Sequence, residues 1–203
     1  MLLLVSSAWM QALEELPFVA GNAGLDFVNT AELRGHPEAG DVIATAADLR
    51  RWGQRYGLLS HVPAQGMLDD ELRCAIKARE LMYAVFVDRI HGRAPVRAQL
   101  SELGTLAAAA YAAAELHRDH TGAIEWRWQR CELSTVRHIA VVEAVHLLVQ
   151  PPTPRLKQCP GDHCGWLFLD STKRGNRRWC EMRNCGQEAK DERRRQQQRR
   201  RST

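Results

Sequence analysis

The clearest hydrophobic periodicity runs from Asp69 to Gly92. Leu72, Ala75, Ile76, Met82, Tyr83, Phe86, Val87 and Ile90 recur at three- and four-residue steps, which predicts an amphipathic helix. Asp69, Asp70 and Glu71 lie at its positive N-terminal end. Arg79 falls on the apolar stripe, so its guanidinium is expected to point at least partly inward. A second helix is predicted from about Glu102 to His120 through two alanine runs, and ends at Gly122. Ile124 to Gln129 then alternates apolar and polar with a period of two, the pattern of a half-buried strand. Ser134 is the expected cap of a third helix, Val136 to about Gln150, apolar almost all round and therefore central to a core. The expected body, residues 1–150, is thus mainly α with a small β element. Pro151, Pro152 and Pro154 cannot continue a helix, and residues 151–154 read as a stiff linker.

Beyond the linker, residues 155–203 carry a different pattern. Cys159-x4-Cys164 and Cys180-x4-Cys185 are two close pairs separated by a gap of fifteen residues. Paired thiolates on tight turns, with a loop between, suit a tetrahedral Zn²⁺ site. Pro160, Gly161, Asp162, Gly165 and Gly186 are turn formers, which suit such knuckles better than core packing. Four reduced cysteines filling apolar space, or His163 replacing one thiolate, are the alternatives. So short a segment cannot bury enough apolar surface to hold itself, so the metal is expected to contribute folding energy. Four thiolates leave no position to activate water, so the zinc is expected to be structural. Trp166 to Leu169 reads as a strand, Ser171 to Asn176 as a turn and Arg177 to Trp179 as a return strand, giving a hairpin followed by a basic helix. Trp166, Phe168 and Trp179 are expected to form a mini-core above the metal, or alternatively to stack on exposed bases. Cys74 and Cys131 read as single core cysteines.

Charge changes this picture. The 203 residues carry a net charge of +4, but residues 1–172 are net −4 and residues 173–203 net +8. An acidic body joined to a basic arm points to a polyanionic partner. The arm has few large apolar residues, so duplex nucleic acid suits it better than a membrane surface. Lys173, Arg174, Arg177, Arg178, Arg183, Lys190, Arg193 and Arg194 are the candidate DNA contacts. Some six to eight phosphate contacts would give a log K against log salt slope of about −5 to −7. One short basic helix reads few base pairs, so a homodimer would double the site. Met1 to Ala8 lacks a leading positive charge and the ~7–15-residue apolar run of a signal peptide, so the expected location is the cytoplasm, where thiols stay reduced.

Several motifs together resemble a known family. Cys159-x4-Cys164, Leu167-Phe168-Leu169-Asp170, Arg177-Arg178-Trp179-Cys180, Met182 and Cys185-Gly186 are similar to the bacterial CGNR zinc finger. Gly24 to Thr30, Asp48-Leu49-x-x-Trp52, Gly57-Leu58-Leu59 and Ala78-Arg79-Glu80-Leu81 resemble its usual N-terminal partner, the helical ABATE domain, described as a stress-induced transcription regulator. The resemblance covers about residues 16–195. It implies a zinc-dependent, DNA-binding transcription regulator. The motif departs where the family reads Cys-Gly-Asn-Arg: here Gln187-Glu188 follows Cys185-Gly186. A phosphate contact made by that arginine is missing, and Glu188 repels phosphate, although a glutamate near a helix N-terminus favours the helix.

Asp26, Asn29, Thr30 and Arg79 are the candidate lining of a pocket for a small, anionic effector. The alternatives are an Arg79–Asp26 ion pair, or Arg79 reaching solvent over an apolar stem. No nucleophile elbow, phosphate-binding loop, paired acids or His-rich metal motif is legible, so catalysis is not expected. RNA binding through Trp166 or Trp179, docking on an acidic protein, and an enzyme with its chemistry in the body are the rival readings.

Overall fold

A computed structural model describes residues 13–34, 36, 39–60, 68–151, 155–162 and 164–201. The leading segment Met1 to Ala8, Pro152 to Pro154 of the linker and His163 therefore lie outside the described residues. The Asn22 side chain accepts the Leu25 N–H and caps the short α1 (Ala23–Val28). A two-stranded ribbon, β1 (Ala31–Glu32) and β2 (Gly40–Asp41), leads to α2 (Ala46–Tyr56). Thr45 and Asp48 form a reciprocal capping box at the start of α2, and Gly57 ends it in the left-handed region at φ 85°. The periodic stripe becomes α3 (Leu68–Ile90), with Ala75, Ala78, Met82, Val85 and Phe86 buried.

The next element is shorter than the alanine content suggests. Helix α4 (Arg97–Ala112) stops eight residues before His120, and β3 (Glu115–Arg118) folds back on β4 (Ile124–Arg127) with Leu116 opposite Trp126. The Asp119 carboxylate accepts the N–H groups of Thr121 and Ala123, and Gly122 sits at φ 91°. That turn chemistry, together with the Trp128 indole donating to the Ala110 carbonyl at 2.8 Å, overrides alanine's helix preference. The β4 strand is exposed throughout rather than half-buried. Helix α5 (Ser134–Val149) follows. Ser134 is its first residue and not its cap, and no side chain caps this end. Val136, Ala140, Val141 and Ala144 are buried, whereas Val149 at the far end is 70% exposed.

The C-terminal part contains β5 (Leu156–Gln158), β6 (Leu167–Leu169) and α6 (Cys185–Arg201). The hairpin expected between residues 166–169 and 177–179 does not form. Instead β6 pairs antiparallel with β5, Phe168 facing Lys157. The reason is local: the Arg177 N–H donates to the Asp170 carboxylate at 2.8 Å, so it is unavailable to a ladder. Leu156, Trp166, Leu167 and Phe168 join Leu25, Phe27, Trp52, Phe86 and Val141 in one continuous core. Bonds from body to finger reinforce that core. The Asn29 side chain donates to the Leu167 carbonyl at 2.9 Å and accepts its N–H at 2.8 Å, while Leu169 N–H donates to the Ala20 carbonyl. Among the described residues no helix is long and apolar enough to cross a membrane.

Candidate metal centre and nucleic-acid interface

Cys159 follows β5 directly, Cys164 closes the turn before β6, and Cys185 opens α6. The sequence separation of up to 26 residues collapses to one point: the Sγ atoms of Cys159, Cys164, Cys180 and Cys185 all lie within 4.8 Å of one another. Cys164 to Cys180 is 3.5 Å and Cys180 to Cys185 is 3.6 Å. A zinc–thiolate tetrahedron with bonds of ~2.3 Å has sulfur–sulfur edges of about 3.8 Å, so the four ligands fit the ion. Gly161 suits this close approach, since a Cβ there would stand 3.1 Å from the Cys185 Sγ and 3.2 Å from the Cys164 Cβ and would press both ligands aside. Hydrogen bonding from Cys164 and Cys180 draws the Cys159 thiol far down, and pairing with Cys159 pushes Cys164 and Cys180 far up. So crowded a set ionises fully only around a cation. Cys159 and Cys180 are buried and the other two half-buried, and four thiolates fill a tetrahedral ion's positions, whereas Cys74 and Cys131, expected in the core, are both exposed.

A second tier holds this frame. The buried Asp170 carboxylate accepts from Lys157 Nζ at 2.7 Å, Thr172 N–H at 2.9 Å and Arg177 N–H at 2.8 Å. Burial opposes its ionisation, but these donors outweigh it and hold its pKa well below the usual carboxylate range. Arg177 turns inward over the Phe168 ring, 4.4 Å from its centroid, and donates to the carbonyls of Trp179, Val19 and Cys180. Its guanidinium staples the finger to the body, which removes it from the exposed DNA candidates. The Asp170-x-Thr172 turn carried the signal for this tier, and the sequence reading missed it. Trp166 and Phe168 are buried and Trp179 half-buried, so the first two belong to the shared core rather than to a separate one.

The remaining basic candidates are at the surface. Lys173, Arg174, Arg178, Arg183, Lys190, Arg193 and Arg194 are exposed. Arg194 lies 3.8 Å from Asp191 and Arg195 3.4 Å from Glu192, one turn earlier on α6. Gln187 donates to Asp191 along the same helix, and Glu188 stands exposed in its first turn.

The four effector candidates do not converge on a common opening. Arg79 is 3% exposed and donates to Asp41 at 2.8 and 2.6 Å, to Thr30 Oγ1 at 3.0 Å and to Glu80. Its ion partner is thus Asp41 and not Asp26, and its chain does not reach solvent. Burial opposes its charge, but Asp41 and Glu80 outweigh burial and raise its pKa. Asp26 instead accepts from the Ala20 N–H at 3.0 Å and the Tyr56 hydroxyl at 3.2 Å. Burial pushes its carboxyl up to about 6, against the lowering effect of those two donors. Asn29 is spent on Leu167. Asp41, absent from the sequence reading, lies in a two-residue strand with no periodic signal.

A helical body sharing its core with a closed four-thiol centre, from which an exposed arginine-rich helix starts, defines a two-part zinc-finger protein. Residues 21–156 match ABATE, "Putative stress-induced transcription regulator", and residues 155–200 match the CGNR zinc finger. The chain belongs to the ABATE family and carries a C-terminal CGNR finger. A comparison with curated protein sequences returned no significant match.

Proposed function

We propose that this protein is a transcription regulator that binds duplex DNA through its zinc finger and α6. The carrying observation is that the metal centre fixes the start of α6 at Cys185, while the exposed arginines from Arg193 onward project from the same helix. Zinc sets the position of the basic surface relative to the body and takes no part in chemistry. Seven exposed cations from Lys173 to Arg194 supply phosphate contacts, and Glu188 subtracts from them. Burial of Trp166 and Phe168 in the core disfavours a base-stacking role for them and leaves the single-stranded RNA reading only the half-buried Trp179.

The test is duplex-DNA binding by the full chain at several salt concentrations, with and without a chelator strong enough to strip the metal. About six phosphate contacts give a slope of about −5. Binding is expected to fall at least tenfold once zinc is removed. Affinity and slope that survive metal removal would separate the basic arm from the finger and defeat the proposal.

A further inference from the structure

A cleft of about 600 Å³ lies where the end of α3 meets the finger, lined by Arg89, Ile90, His91, Leu156, Pro160 and Arg178 among others. Its size is that of a small-molecule site. Two features distinguish it from two other clefts among the described residues. Its described lining contains no carboxylate, whereas the cleft beside Trp179 includes Glu181 and the one beside Trp128 includes Glu115. It also combines an apolar floor, Ile90, Leu156 and Pro160, with cations from both parts of the chain.

Those cations differ in availability. Lys157 also lines the cleft, but its ammonium already donates to Asp170, Gly175 and Arg177. Arg89 spends one nitrogen on the Gln150 carbonyl and keeps the rest of its fork. Arg178 is exposed, lies 5.7 Å from the Trp179 ring centroid and has no carboxylate partner among the described residues. His91 Nε2 donates to Gln158 Oε1 at 2.9 Å, which ties the end of α3 to the finger and leaves the arginines as the cleft's oxyanion donors. Gln158 is also bonded to the Tyr83 hydroxyl and directly precedes the zinc ligand Cys159, itself part of the lining.

We propose that this cleft binds a small organic phosphate, its oxyanion held by Arg89 and Arg178 and its apolar body laid on Ile90, Leu156 and Pro160. Arginine forks match phosphate oxygens, and the apolar floor rewards an attached ring or chain. The site shares Arg178 with the DNA-binding reading, takes its other contacts from α3, β5 and the Pro160 turn, and includes none of the residues of the Arg79 cluster. A ligand there touches α3, β5 and a zinc knuckle at once, so its occupancy is felt at the metal centre.

The experiment titrates the zinc-loaded full chain with phenyl phosphate by calorimetry, with phenol and inorganic phosphate as controls. Saturable phenyl phosphate binding is expected, with each control at least about tenfold weaker because it lacks one half of the recognition. Arg89→Gln and Arg178→Gln should each weaken the probe about tenfold while the melting temperature and zinc content stay at wild-type values. Bound phenyl phosphate should also slow zinc loss to a chelator. Binding that does not saturate, or that neither substitution alters, overturns the proposal. If duplex DNA displaces the probe and Arg89→Gln weakens DNA to the same degree, the cleft belongs to the nucleic-acid backbone and the proposal fails, whereas loss of DNA binding with probe binding intact would sink only the functional reading above.

Discussion

At the scale of single residues, buried polar groups decide most of what is specific here. Asn29 satisfies both backbone groups of Leu167, so Asn29→Ala strands a buried N–H and a buried carbonyl. The expected cost is about 2–4 kcal/mol, read from denaturant unfolding. A loss below about 0.5 kcal/mol would mean that those groups find other partners. Asp26 carries a pH dependence of its own. Its folded pKa of about 6 lies above the model-peptide value of 3.8, so between those pH values the unfolded chain ionises first. Stability from this group is therefore present at acid pH and is lost as pH rises through the window. Asp26→Asn, which retains the acceptor for Ala20 N–H, should gain about 2–3 kcal/mol relative to wild type on going from pH 4 to pH 7. A parallel pH profile for both proteins would contradict the assignment.

At the scale of elements, backbone proximity and turn chemistry matter more than propensity. Helices α1 and α5 cross so closely at Gly24 that a Cβ there would lie 2.6 Å from the Ala140 carbonyl oxygen and 3.0 Å from the Ala144 Cβ. Because backbone cannot yield as a flexible side chain does, Gly24→Ala is expected to destabilise by about 2 kcal/mol, visible as a lowered melting temperature. An unchanged melting point would show that the helices part freely. The same balance explains what was legible. The α3 stripe, including inward Arg79, announced itself through period, and the four cysteines through spacing. The end of α4 did not, because Asp119 and Gly122 outweigh a run of alanines. Nor did the pairing of β5 with β6, because three-residue strands carry no period and their partner depends on where the Arg177 N–H is spent.

At the scale of the whole molecule, the charge division does not coincide with a division of the core. Net charge changes sign near Lys173, whereas Leu156, Trp166, Leu167 and Phe168 are packed with the helices. Metal removal should therefore reach the body. Adding a chelator is expected to lower a single thermal transition by at least about 10 °C, followed both by tryptophan fluorescence and by far-ultraviolet dichroism. Two separated transitions, the helical one unmoved, would show that the finger is an independent unit. The shared core also bears on synthesis. Asn29 waits for Leu167, 138 residues later, and Ala20 for Leu169, so the chain through Leu169 must leave the ribosome before the first helix gains its last partners. Ribosome-bound chains ending before Cys164 should accordingly stay open to protease, and protection should arrive only once β6 has emerged.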